Sequence, residues 1–482
     1  MKAYRSFAKN IGLMGFTQVV LGLQALLLLP LLTKFLGLTY YGIWSQIKIT
    51  IILLSTFAMF GFEFSIIRFM SGKKNTKVAF SSILAICIIS SVLLATIVYL
   101  FSTQIGLFLT QVPSAGAFFK FSAILILFNT LHTLFITFFR AKENIRLFSL
   151  VEVIRTIFEL GLIYFFLLNG YGLISVIFSF IVIKFALILF EFFALREYLT
   201  RKLSLKLVKV HLNYSLPLMI APILYWVLQT SDQYIIGYFL GVKAISVYAL
   251  VYGLSYCVKF LSVVVRSVLQ PALSRAVNQG DLSLARSYFE YSYKYIFMMI
   301  IPFVFGLSFL SELIIKIVST TEFLEGVTLI PIIATGIGVS TFFGLASQLL
   351  LLNKETKRLR NILISLAFLN ICLNFLLVPT HGMFGAAIST FLTFLISAIF
   401  GIHVLKTMKV NLMPKFLLKS ILSASIMSLL VVLMNTLQFS SLLLKFVSII
   451  FVAVPIYFIS LYLLRGIKRK EVVFLIKSFN LF

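Results

Sequence analysis

Glu152, Arg155 and Glu159 lie three and four residues apart in a stretch, 148–168, that is otherwise almost wholly apolar. On a helix that spacing brings the three side chains to one face. Either the two acids neutralise the base as an internal ion cluster, or they hold Arg155 in place and release it to an anionic ligand. Lys184 and Glu191 stand seven apart in the next apolar stretch and share a face there. They can join the same network, although they are too far apart to pair with each other. Lys259 and Arg266 repeat the seven-residue spacing further on. Charges at bilayer depth are costly and face a cavity or a partner. Lys48, Arg155, Lys184, Lys259 and Arg266 are therefore the candidate binding residues for an anionic head group. Arg offers two parallel donors to such a group and Lys a point charge. At about 1.5 Å per residue, Lys48 falls toward the outer side, Lys184 and Lys259 near the midplane, and Arg155 and Arg266 toward the cytoplasm. Lys120 is close to a helix end, where its amine reaches the interface.

The acids give a second kind of candidate. Asp232 is one of only two Asp residues and follows Gln229 by about one helical turn. A buried carboxylate there can bind a proton or Na⁺ and couple movement to an ion gradient. It can equally make a hydrogen bond between helices or pair with a cation such as Lys48. Glu159 and Glu63 are the other ion-coupling candidates, and a local salt bridge to Arg68 accounts for Glu63. Asn370 and Asn374, four apart, read as interhelical donors. Cys87, Cys257 and Cys372 have no pairing or ligand spacing, so no disulfide, metal site or cofactor is expected.

The elements that position these groups are membrane helices. Hydrophobic residues make up 61% of 482 residues and the mean hydropathy is +1.10. The predicted fold is all-α and polytopic, with fourteen spans near 11–33, 41–69, 78–102, 117–139, 148–168, 172–195, 213–238, 244–273, 293–311, 327–352, 361–378, 383–405, 416–436 and 443–464. Each is long enough to cross a bilayer. The first is too long for the apolar core of a signal peptide. The net charge of +27 is scattered through short loops without a dense patch, which argues against nucleic acid. With the N-terminus inside, the inner loops and tails hold roughly 31 Lys and Arg, and the outer loops about four: Lys34, Lys243, Lys316 and Lys445. The positive-inside rule then places both termini in the cytoplasm.

An internal repeat organises the spans. Phe35-Leu36-Gly37 matches Phe239-Leu240-Gly241, Lys142-Glu143 matches Lys354-Glu355, and Phe165 with Gly172 matches Phe375 with Gly382. The offsets lie between 204 and 212 residues. This predicts a six-helix half over 1–210, a second over 211–410, and two further helices with a basic tail over 411–482. An even number of spans per half makes the halves parallel, as in transporters that rock around a central cavity. Pro30, Pro222 and Pro271 are candidate hinges or static kinks. Gly336-Ile337-Gly338 sits inside a helix, so it reads as close helix packing and not as a nucleotide loop. Tyr40, Tyr41 and Trp44 read as interfacial anchors.

Residues 35–44, Ser231-Asp232-Gln233 leading to Phe239-Leu240-Gly241, Arg140-Ala141-Lys142-Glu143 and Gly382-Met383-Phe384-Gly385-Ala386-Ala387 resemble the multidrug/oligosaccharidyl-lipid/polysaccharide exporter superfamily. Within it they look most like the Wzx-type O-antigen flippases of the polysaccharide branch. The resemblance implies a non-enzymatic flippase in a bacterial cytoplasmic membrane. Its substrate would be an undecaprenyl-pyrophosphate-linked oligosaccharide, moved from the inner to the outer leaflet. The implied associates are membrane lipid and the polymerase and chain-length proteins of polysaccharide assembly. The diphosphate would be met by the internal cations. An ion-coupled multidrug or metabolite exporter of the same superfamily is the alternative, though that class favours cavity acids and here internal cations outnumber acids by about six to five. A membrane glycosyltransferase or polymerase fits less well, because the outer loops are short and nearly uncharged.

Overall fold

The computed structural model describes the backbone of residues 2–73, 76–278, 281–353, 355–407 and 409–467, and their side chains except 2–11, 263–272, 274–280 and 282. Among the described residues all regular structure is helical. The chain runs through α1 (Lys2–Ala58), α2 (Phe62–Met70), α3 (Lys77–Leu100), α4 (Ser102–Thr110), α5 (Ala115–Ser122), α6 (Ile124–Ala141), α7 (Ile145–Leu168) and α8 (Gly172–Leu195). It continues with α9 (Leu205–Leu240), α10 (Val242–Asn278), α11 (Leu282–Phe309), α12 (Ser311–Val318), α13 (Leu329–Leu352), α14 (Thr356–Thr407), α15 (Pro414–Asn435) and α16 (Leu442–Leu463).

Eleven of these stretches are long and apolar enough to cross a membrane. α1 and α14 are each two helices joined at a glycine, Gly37 and Gly382. α7 is 24 residues long but carries Arg146, Glu152, Arg155 and Glu159, and it is not among the eleven. The fold is that of an all-helical, multi-pass membrane protein; the eleven stretches do not by themselves fix the expected count of fourteen. Polarity is arranged inside out. Leu93 of α3, Phe193 of α8 and Phe451 of α16 are exposed, while Glu159, Glu191 and Asp232 are fully buried. Apolar side chains outside and polar groups inside is the arrangement a bilayer demands.

The helices form two compact units. One comprises Met1–Leu250 and Arg360–Ala386, the other Val251–Leu359 and Ala387–Phe482. This grouping follows other lines than the sequence repeat. The first unit packs α1 on α7, α3 on α6 and α7 on α8. Its core includes Phe62, Phe80, Cys87, Phe135 and Phe138, and Phe80 stacks on Phe138 with ring centroids 3.9 Å apart. In the second unit α11 packs on α13 and α15, and α15 packs on α16. A Cβ at Gly336 would lie 3.2 Å from the Phe391 Cα, and one at Gly338 3.2 Å from Ile300 Cγ2. The Gly-Ile-Gly sequence thus serves close helix packing, as its position inside a span implied.

Glycines at two pairs of repeat positions have positive φ. Gly37 (φ 66, ψ −176) and Gly241 (φ 77, ψ −175) adopt the same conformation at the corresponding positions. Gly172 (φ 62) and Gly382 (φ 59) form a second pair. Side chains with a Cβ rarely adopt such φ values, which explains glycine at all four. The breaks in α1 and α14 fall at Gly37 and Gly382, and Pro30 and Pro222 lie within α1 and α9; the side chain of Pro271 lies outside the described residues. One sequence expectation changes. Tyr41 and Trp44 are not interfacial anchors. Both are buried, and Trp44 stacks on Phe180 of α8 at 5.0 Å. They are three apart on the inward face of the helix after Gly37, and helix face outweighs nearness to a span end. Tyr40, on the other face, is exposed.

Candidate functional site

Four helices of the first unit bring a polar network into its interior. α7 supplies Glu152, Arg155, Thr156 and Glu159; α8 supplies Lys184 and Glu191; α6 supplies Asn129 and His132; α1 supplies Gln24. α7 starts where Asn144 accepts a hydrogen bond from the Leu147 amide, an N-cap that fixes the helix start. The helical period then turns Glu152, Arg155 and Glu159 to the same side.

Arg155 is the hub. Its Nε and Nη2 donate to Glu152 Oε2 at 3.2 and 2.8 Å, and Nη1 donates to Glu159 Oε2 at 2.9 Å. Three of the five guanidinium N–H donors are thereby used. The Arg155 side chain keeps 17% exposure, against 5% for Glu152 and 0% for Glu159. Gln24 donates to Glu159 Oε2 at 2.7 Å and accepts from Thr156 Oγ1 at 3.2 Å, which ties α1 to α7. This arrangement is common to both readings of the trio, the internal ion cluster and the held Arg155, and donors on Arg155 are left over.

His132 joins the two acidic helices. Its Nδ1 lies 2.8 Å from Glu191 Oε1 and its Nε2 3.3 Å from Glu152 Oε1. Lys184 donates to Asn129 Oδ1 at 3.1 Å and feels the charges of Glu159, Arg155, Glu152 and Glu191. Glu191 therefore enters the network by a bond to His132 of α6, and Lys184, held by Asn129 of α6, joins it through charge alone. The sequence reading missed His132, Asn129, Gln24 and Thr156. Asn129 and His132 are three apart on one face of an apolar helix, and that spacing was the available signal.

Asp232 occupies a separate centre in the same unit. Its Oδ2 accepts from the Tyr248 hydroxyl at 2.7 Å and its Oδ1 from Asn374 Nδ2 at 2.8 Å. Asn374 Nδ2 also donates to the Asn370 carbonyl, and Ser231 Oγ donates to Asn370 Oδ1. The interhelical reading of Asp232, Asn370 and Asn374 describes this geometry, and the alternative pairing with Lys48 is not part of it.

The remaining candidates are each described by themselves. Lys48 is exposed. Lys259 belongs to the second unit, where its Nζ lies 5.2 Å from the centre of the Tyr256 ring. The side chain of Arg266 lies outside the described residues. Lys120 is exposed over the Tyr99 ring at 4.8 Å, as a cation near a helix end should be. The expected Glu63–Arg68 salt bridge is not formed. Five residues turn the two side chains to different sides of α2, and Arg68 instead lies 5.4 Å from the centre of the Tyr214 ring. Glu63 Oε2 is buried without a hydrogen-bond partner among the described residues. No group of three or more His, Cys, Asp or Glu among the described residues has metal-binding geometry.

A family model described as polysaccharide biosynthesis protein matches residues 31–328, more than half of the chain. The chain belongs to that family. A relative from Haloferax volcanii, "Probable low-salt glycan biosynthesis flippase Agl15", is 26% identical over 208 residues, 43% of this chain and 44% of the relative. The chain therefore matches less than half the length of that protein. Among solved structures, the lipid II flippase MurJ in an inward closed conformation superposes with a TM-score of 0.74 at 18% identity, covering 93% of this chain and 96% of MurJ. An inward-facing MATE multidrug resistance transporter gives 0.65 at 13% identity, covering 81% of this chain and 95% of that one. At such identities the likeness concerns the fold.

Proposed function

We propose that this polysaccharide biosynthesis protein is a flippase. It carries an undecaprenyl-pyrophosphate-linked oligosaccharide repeat unit, of O-antigen or a related surface polymer, from the cytoplasmic to the outer leaflet of the cytoplasmic membrane by alternating access. The observation that carries the reading is Arg155. In a chain of this family, it is a fixed cation held within the bundle by two acids, with two N–H donors left for an anion. A diphosphate leaving water needs such a partner, and a planar guanidinium presents parallel donors to its oxygens. Lys48, Lys184, Lys259 and Arg266 are further contacts along the path. The sugar needs no covalent chemistry, so the protein acts without catalysis. Asp232, Glu159 and Glu63 are proposed to couple the cycle to H⁺ or Na⁺. The polymerase and chain-length proteins of polysaccharide assembly would take over the product at the outer face.

Deletion of the gene tests the reading. The expected result is loss of surface polysaccharide with accumulation of complete lipid-linked repeat units on the inner leaflet. Absence of those units would indicate a glycosyltransferase. Unchanged glycan with altered drug tolerance would indicate an exporter.

A further inference from the structure

His132 is buried between two carboxylates. Each ring nitrogen faces a carboxylate oxygen: Nδ1 is 2.8 Å from Glu191 Oε1, and Nε2 is 3.3 Å from Glu152 Oε1. A neutral imidazole has one N–H and one lone pair. Between two ionised carboxylates it would point that lone pair at an oxygen. An imidazolium points an N–H at both. The arrangement is therefore complete only with one more proton than two carboxylates and a neutral ring possess.

The charge count agrees. Glu152 and Glu191 face the ring directly, with Glu159 and Arg155 behind Glu152 on α7 and Lys184 on α8. α1 contributes the neutral Gln24. α2 and α3 carry Glu63, Arg68, Lys77 and Cys87, none of which makes a described contact with the ring. Three carboxylates against Arg155 and Lys184 leave one uncompensated negative charge in a buried site. A proton on His132 cancels it. Burial of an uncompensated charge is strongly unfavourable, so a proton and the network as seen belong together.

We propose that His132 is a proton-binding site whose occupancy sets the charge around Arg155, and so its hold on an anionic head group. With the proton bound, the network is neutral and Arg155 can offer its remaining donors. Without it, Glu152 loses its contact with the ring, the network is negative, and an incoming diphosphate meets repulsion. The two binding events are thermodynamically linked, so the anion must in turn favour uptake of the proton at His132. Only the identity of the anion rests on the flippase reading.

The experiment has two arms. Protein labelled with ¹⁵N-histidine in detergent contains four histidines, His132, His211, His381 and His403. His132→Gln removes one resonance set and assigns it, and retains an amide that can still donate to Glu191. The expected result at pH 7 is a His132 ring protonated on both nitrogens. A neutral ring overturns the proposal without reference to any substrate. The second arm measures binding of undecaprenyl pyrophosphate between pH 6 and pH 9. Wild type should bind about tenfold more tightly at the acid end, the size of an ordinary coupling, and His132→Gln should lose most of that dependence. Equal pH dependence in both proteins overturns the link to Arg155. Absence of binding by wild type at every pH overturns both that link and the diphosphate reading, and leaves the ring measurement to decide the proton site.

Discussion

Replacing Arg155 by Met should destabilise the first unit by about 3–5 kcal/mol, the usual cost of breaking a buried ion pair from one side. The change removes three charge-assisted hydrogen bonds. It leaves Glu159, fully buried, with Gln24 as its one remaining described donor. Glu159→Gln is milder. The amide oxygen can still accept from Gln24 and Arg155, Arg155 keeps Glu152, and only charge assistance is lost, about 1–2 kcal/mol. In the double variant the orphaned carboxylate is gone. Its cost should fall below the sum of the single costs by about 1–3 kcal/mol. The cycle can be measured by SDS-driven unfolding in mixed micelles. The chain has two tryptophans, Trp44 and Trp226, and both lie in the first unit, so intrinsic fluorescence reports on that unit. Strictly additive costs, or an Arg155→Met variant as stable as wild type, would refute the view that this guanidinium holds α7 together internally.

Three further outcomes follow from the geometry. Gly37→Ala should cost about 1 kcal/mol through backbone conformation alone, since nothing lies within 4 Å of the added Cβ; Gly42→Ala should cost more, because its Cβ meets the Val242 carbonyl and the Ser246 hydroxyl. Comparing the two melting temperatures checks this. Trp44→Ala should lower stability by about 3–5 kcal/mol through loss of the buried stack on Phe180, whereas an interfacial anchor would tolerate the change; the Trp226 fluorescence transition measures it. Lys48→Gln should leave unfolding unchanged, because the side chain is exposed, and any defect should appear only in export of lipid-linked sugar.

Much of the membrane architecture was legible because apolar length is a strong signal. At the repeat positions glycine answers to backbone geometry: Gly37 and Gly241 share one conformation, and Gly172 and Gly382 both have positive φ. The trio on α7 could be read for the same kind of reason, since spacing of three and four fixes a shared face. What could not be read was which helix meets which. His132 has no acid near it in sequence, and its partners stand on α7 and α8, 20 and 59 residues away. Tyr248, the donor to Asp232, was hidden likewise, because the two stand on different helices. Tyr41 and Trp44 misled because aromatic type and nearness to a span end suggest an interface, and only packing on α8 shows otherwise.

Replacing Asp232 by Asn removes a charge while keeping the side chain's shape. Both donors described on its carboxylate are neutral, Tyr248 Oη and Asn374 Nδ2. In Asp232→Asn one acceptor oxygen becomes an NH₂. If it faces Tyr248, the hydroxyl can turn to accept. If it faces Asn374, that amide must flip, and its Oδ1, which has no hydrogen-bond partner among the described residues, then becomes the acceptor. The flip gives up the bond to the Asn370 carbonyl. One neutral hydrogen bond is worth about 1 kcal/mol, so the variant should fold. Should Asp232 bind the coupling ion, reconstituted Asp232→Asn protein will still flip lipid-linked oligosaccharide down a substrate gradient, yet show no response to an imposed Na⁺ or H⁺ gradient. A full gradient response in a folded Asp232→Asn protein would assign Asp232 to helix packing and leave the coupling ion to the His132 network.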